Sequence, residues 1–220
     1  MGLYLLRPIY RFPAGRFKLN QYQNFQQNQI RGAKWRRWRE RVAGTKVHKI
    51  GLFKKQEAFV LDLTYHVGLA AGVGSGKSYA GAAKGLKYVV EHPGSLGVIT
   101  APSYGMLRDA TLKTVMAVWP EGMTRGYHPS SMSMTMTNGA EVMFRTTDDP
   151  DMLRATNLAW IWMDEAARSS EESFRVLQGR LRQAGYPHQM WLTTTPRGYN
   201  WFYTEFAQVE RERYRLHRWS

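Results

Sequence analysis

The stretch AAGVGSGKSYA, Ala70 to Ala80, constrains this chain more than any other, because it demands a strand, a tight turn and a helix in that order. The apolar run Tyr65–Ala71 leads into it, and helix-forming residues from Gly76 to Glu91 follow it until His92-Pro93-Gly94 stops the helix. Between them lie Gly72, Val73, Gly74, Ser75 and Gly76, ending in Lys77-Ser78-Tyr79. Backbone N–H groups of such a turn are free to point at phosphate oxygens, and the helix adds its positive N-terminal pole. In this arrangement Lys77 reaches the β/γ-phosphates and Ser78 holds Mg2+. The pattern G-x-x-x-x-G-K-[ST] asks for glycine at position 71, where the chain has Ala71. That position closes a strand, so a small side chain suits it, and the turn keeps three glycines for its own sharp bends.

The rest of the chain alternates strand and helix signals. Strands are expected at Leu96–Thr100, Leu158–Met163 and Gln189–Thr195, and helices at Ser103–Val118, Ser169–Gln183 and Tyr199–Val209. The segment SMSMTMTNGAEVMFRTT alternates apolar and polar residues on both sides of Asn138-Gly139, a hairpin signal. Strands separated by helices of this length give a three-layer α/β/α domain with a mostly parallel central sheet. Residues 1–20 read as an irregular arm broken by Pro8, Pro13 and Gly15, and 21–43 as a helix. The expected division is therefore 1–49 as a basic arm and helix, and 50–220 as the P-loop domain.

Two further strand ends carry chemistry. LAWIWMDEA ends an apolar run abruptly in Asp164 and Glu165, which is costly unless the acids face a site. Asp164 there can associate with Mg2+ beside Ser78, and Glu165 can polarise a water that attacks the γ-phosphate. Such an activated water is of no use to a small-molecule kinase. WLTTTPRG closes the next strand with Thr193, Thr194 and Thr195, whose hydroxyls can sense the γ-phosphate and pass its loss to a moving element.

Charge adds a partner class. Of 31 Lys and Arg residues 14 fall in positions 1–55, with one of the 17 acids, so the net +14 is almost wholly N-terminal. KWRRWRERV interleaves Lys34, Arg36, Arg37, Arg39 and Arg41 with aromatics, which suits contact with nucleic-acid phosphates and bases. The same segment suits a solvated helix that docks Trp35, Trp38 and Val42. The chain has no cysteine, which excludes disulfides, thiol catalysis and thiolate metal sites. It also shows no 18-residue apolar run, signal peptide or myristoylation pattern, so a soluble intracellular protein without membrane contact is expected.

Together AGVGSGKS (71–78), DPDMLRATNLAWIWMDEA (149–166) and TTTPRGYNWFYTEF (193–206) resemble the large-terminase family, the ATP-driven DNA-packaging motors of tailed bacteriophages. The resemblance spans roughly 50–220. It implies a P-loop NTPase fold of the ASCE, RecA-like type, with ATP and Mg2+ as cofactors. Lys77 and Ser78 take the phosphate and Mg2+ roles, Asp164 is the Mg2+-associated acid, and Glu165 the catalytic glutamate. Thr193–Thr195 matches the coupling motif. LFKKQEAF (52–59) is similar to the adenine-recognition segment, with Gln56 as its contact. Many members carry an arginine where this chain has Val73, which calls for an arginine finger from elsewhere. Arg154 matches the family's element for that role, acting in trans; it suits an ion pair with Asp149 or Asp151 as well, and Arg108 is a rival. The implied partners are double-stranded DNA, the portal protein, the small terminase subunit and a homo-oligomeric ring, a pentamer on the procapsid, in the host cytoplasm. A C-terminal nuclease domain is not expected within these residues. Another P-loop translocase or helicase, or a non-hydrolysing nucleic-acid-binding scaffold, remains the alternative.

Overall fold

In the computed structural model the described residues are 4–5, 11–12, 46–47, 50–149, 156–208 and 210–219. The chain divides into two units, Met1–Gly51 and Leu52–Ser220. In the first, Arg11–Phe12 pairs antiparallel with Lys46–Val47. The helix expected over 21–43 lies outside the described residues.

The second unit opens with helix α1 (Lys54–Leu61) and strand β1 (His66–Ala71), followed by α2 (Lys77–Glu91) and β2 (Leu96–Ala101). Helix α3 runs through Tyr104–Met106, a π-turn at Leu107–Thr111, and Leu112–Val118. Strands β3 (Thr124–His128), β4 (Ser133–Met136), β5 (Glu141–Thr146) and β6 (Trp160–Asp164) come next, then α4 (Glu171–Gln178) and β7 (Gln189–Thr194). Helix α5 (Trp201–Tyr203) continues as a π-turn, Thr204–Gln208, and β8 (Tyr214–Trp219) follows.

The eight strands form one sheet in the order β8-β1-β7-β6-β2-β5-β4-β3. Neighbours from β8 through β5 run parallel, and β4 and β3 add an antiparallel ribbon. Every residue of β6 and β7 is buried, as a parallel strand covered on both faces requires. The carboxyl ends of β1, β6 and β7 thereby lie side by side, with Asp164 level with Thr193 across the ladder.

The composition of α2 follows from what lies against it. Trp160 and Trp191 stack with ring centroids 5.2 Å apart, and Trp162 lies so close to Gly81 that a Cβ there would meet its ring at 2.5 Å. The indole N–H groups of Trp191 and Trp119 donate to the carbonyls of Gly81 and Ala82 at 3.2 and 2.8 Å. Bulky indoles thus need a helix of Ala and Gly above them, which is what AGAAKG supplies. In the hairpin, Gly139 takes φ +86° and the Asn138 side chain donates to Val89 O at 2.7 Å, tying the turn to α2.

Several expected bounds shift. The helix expected over 169–183 ends at Gln178, because the chain turns at Gly179 and Arg182 N–H reaches back to Leu158 O at 3.0 Å. The helices expected at 103–118 and 199–209 both contain π-turns. Strands β3 and β8 have no counterpart among the sequence-based expectations. Among the described residues no helix is long and apolar enough to cross a membrane.

Candidate nucleotide site

The loop after β1 bends where its glycines permit. Gly74 and Gly76 have φ of +74° and +76°, a region that costs other residues about 1–2 kcal/mol. Gly76 caps α2, and the first helical bond runs from Ala80 N–H to Gly76 O at 3.0 Å, so the N–H groups of Lys77, Ser78 and Tyr79 precede the helical ladder. Val73 stands at the loop's crest, 88% exposed. Two elements brace the loop from outside. Gln56 on α1 accepts from Phe53 N–H at 3.0 Å and donates to Gly76 O at 3.3 Å. Trp219 on β8 donates to Ser75 O at 3.3 Å.

Asp164, at the end of β6, is buried among donors. Its Oδ1 accepts from Ser78 Oγ at 3.1 Å, Thr193 Oγ1 at 2.7 Å and Glu165 N–H at 3.1 Å, and its Oδ2 from Thr111 Oγ1 at 2.9 Å. Burial pushes this carboxyl above its ordinary range, and the hydroxyls of Thr193, Thr111 and Ser78 pull against that rise. Trp162 in turn donates to Thr193 Oγ1 at 2.8 Å, which leaves the threonine proton for Asp164.

Glu165 follows in a left-handed conformation, φ +48°, unusual for a residue with a side chain. Its carboxylate pairs with Lys77 Nζ at 3.0 Å and accepts from Thr195 Oγ1 and Thr195 N–H at 3.3 and 3.4 Å. Thr194 Oγ1 accepts from Ala167 N–H at 3.1 Å. The structure therefore brings together Lys77, Ser78, Asp164, Glu165 and Thr193–Thr195, all singled out in the sequence, and places Gln56 against the same loop. Arg154 lies outside the described residues, as do Lys34, Arg36, Arg37, Arg39 and Arg41. The rival Arg108 is exposed, 5.6 Å from the Tyr104 ring and bound to Asp109 by two hydrogen bonds of 2.8 Å.

The residues fit a nucleotide and Mg2+. Ser75 Oγ is buried without a hydrogen-bond partner among the described residues, a donor left within the phosphate loop. Ser78 and Asp164 offer hard oxygen atoms, the donors Mg2+ takes. No group of three His, Cys, Asp or Glu side chains suited to a metal cage occurs among the described residues, and a cation shared with phosphates needs none. Sequence reading missed Thr111 and Trp219. The first sits in a helix whose π-turn no periodicity announces. The second ends a strand, YRLHRW, whose polar residues Arg215, His217 and Arg218 hide any strand signal.

A family model for the phage terminase large subunit matches residues 64–218. The PBSX phage terminase large subunit of Bacillus subtilis (strain 168) is 33% identical over 161 residues, 70% of this chain and 36% of the relative. The large terminase of a thermophilic bacteriophage, solved in complex with ADP, superposes with a TM-score of 0.67 at 17% identity over 76% of this chain and 45% of that one. The large terminase ATPase domain of Thermus phage P74-26 gives 0.57 at 21% identity over 76% and 80%. These structures share the RecA-like α/β fold described above. The chain spans less than half the length of the Bacillus relative and of the ADP-bound large terminase. With the family model covering most of its length, the chain belongs to the phage terminase large subunit family.

Proposed function

We propose that this chain is the ATP-hydrolysing motor domain of a phage DNA-packaging machine. The observation that carries the reading is the contact between Lys77 of the phosphate loop and Glu165 of the acidic strand, braced by Thr195. One ion pair thus joins the phosphate-reaching lysine to the carboxylate that must activate water. When phosphate oxygens of ATP compete for Lys77, Glu165 is released to accept a proton from water. Ser78 and Asp164 hold the place of Mg2+, which neutralises charge on the β- and γ-phosphates when bound. Loss of the γ-phosphate returns Lys77 to Glu165, and Thr193–Thr195, bonded to both acids, carry the change outward.

Gln56 reads the adenine edge on this proposal, exchanging its contact with Gly76 O. Arg154 acts in trans on a neighbouring subunit's ATP within a ring, a pentamer on the portal, and Lys34, Arg36, Arg37, Arg39 and Arg41 meet DNA phosphates. The small terminase subunit and the host cytoplasm complete the setting. The test is ATP turnover by the chain, alone and with DNA. Glu165→Gln and Lys77→Ala are each expected to lower kcat by about 10²–10⁴-fold with the fold intact. A wild-type chain that binds ATP but never turns it over would favour the scaffold reading instead.

A further inference from the structure

The geometry points to Thr111 as a positioning residue for the Asp164 carboxylate, set in place by the π-turn of α3; the inference rests on the reading of Asp164 as the Mg2+-associated acid. The two oxygens of Asp164 are held differently. Oδ1 has three donors, whereas Thr111 Oγ1, at 2.9 Å, is the single donor to Oδ2 among the described residues. A carboxylate held at one oxygen can swing about its terminal torsion, which is broad for aspartate. Held at both, it keeps Oδ1 beside Ser78, where a hydrated cation would meet it.

The backbone explains how Thr111 gets there. The N–H of Leu112 bonds to Leu107 O, five residues back, so the turn carries one residue more than a regular α-helix. Leu107 is buried where the turn begins, Arg108, Asp109 and Ala110 are exposed within it, and Thr111, its last residue, and Leu112 are buried in succession. Successive helical positions point about 100° apart, so Thr111 and Leu112 meet different surroundings. The wider turn lets Thr111 reach the polar site while Leu112, Val115 and Val118 continue in the core. Thr111 is 2% exposed, and among the described residues its hydroxyl bonds to Asp164 alone. Helix α3 is thereby tied to the same carboxylate as α2 and β7.

The test compares Thr111→Val, Thr111→Ala and Thr111→Ser with wild type in the whole chain. Binding of a fluorescent ATP analogue is measured with Mg2+ and with chelator, alongside the Mg2+ concentration for half-maximal turnover. Thr111→Val and Thr111→Ala are expected to raise that Mg2+ concentration by about tenfold and to blunt the Mg2+-dependent gain in nucleotide affinity. Affinity in chelator stays at the wild-type value, and Thr111→Ser restores the Mg2+ response. Wild-type Mg2+ dependence in folded Thr111→Val or Thr111→Ala overturns the proposal, and so does a shift that Thr111→Ser fails to rescue. If wild type itself gains no nucleotide affinity from Mg2+, the reading of Asp164 falls first and this proposal with it.

Discussion

Gly76 shows how little tolerance the phosphate loop has at a single residue. Its φ of +76° disfavours any Cβ by about 1–2 kcal/mol, and a Cβ there would also stand 2.5 Å from Gln56 Nε2. Those two costs are separable. Gly76→Ala is expected to lower both thermal stability and ATP affinity, and adding Gln56→Ala should recover the steric share while leaving the backbone share. Thermal melts of the single and double variants give the answer; a double variant no better than Gly76→Ala would mean that the side chain of Gln56 yields freely. Ala71, by contrast, sits in β1 with ordinary strand geometry, which is why the chain does without glycine there.

At the scale of elements, α1 is anchored by a buried lysine of α2. Lys84 is 1% exposed and donates to Phe59 O at 3.2 Å, to Val60 O at 3.4 Å and to Asp62 O, carbonyls at the end of α1. Burial pushes its ammonium down to about 7 from 10.5, with Asp62 opposing the shift. Between those two values the unfolded chain binds a proton that the folded chain does not, so this group adds stability as pH rises from about 7 toward 10.5, and that gain is lost as pH falls back toward 7. Asp62 titrates elsewhere: burial would raise its carboxyl, but hydrogen bonds from His217 and Thr64 take it well below the usual range. Lys84→Met should therefore lack the rise in Tm that this group gives wild type between about pH 7 and 10, a difference readable by calorimetry at the two ends. Equal slopes for both proteins would place the proton elsewhere.

Strand packing gives a second prediction at this scale. A Cβ at Gly97 of β2 would come within 1.9 Å of Trp160, whose ring is already stacked on Trp191. Gly97→Ala is expected to cost roughly 1–3 kcal/mol in urea unfolding, as overpacking does. Trp160→Phe should relieve the clash and also removes an indole N–H that is buried without a partner among the described residues. Neither the clash nor the indole layer was legible in sequence, because LGVIT and WIWMD read only as apolar strands. What was legible is local: the glycine loop, the acid pair and the threonine run each announce a strand end by an abrupt change of residue type. What was not legible depends on distant partners. Strand β8 gains its place only by pairing with β1, α4 stops early because the chain beyond it bridges to Leu158, and Thr111 enters the site through an extra residue in a helix.

Over the whole molecule, the basic charge and the candidate nucleotide site fall in different stretches of the sequence. Residues 1–55 carry 14 of the 31 basic side chains and one of the 17 acids, while the segment bearing the candidate nucleotide site is close to neutral. A motor that accepts any DNA sequence gains from holding phosphates and ignoring bases, and each phosphate held contributes about 0.9 to the salt slope of binding. Replacing Arg36, Arg37, Arg39 and Arg41 together by Gln should then flatten the plot of log affinity against log salt by about 3–4, equally for duplexes of different sequence. Fluorescence anisotropy across a KCl series measures this. ATP turnover without DNA is expected to keep its wild-type rate, since the proposed function assigns hydrolysis to Lys77, Ser78, Asp164 and Glu165. An unchanged salt slope would move DNA contact off this segment and leave KWRRWRERV to its other reading, a helix that docks its tryptophans.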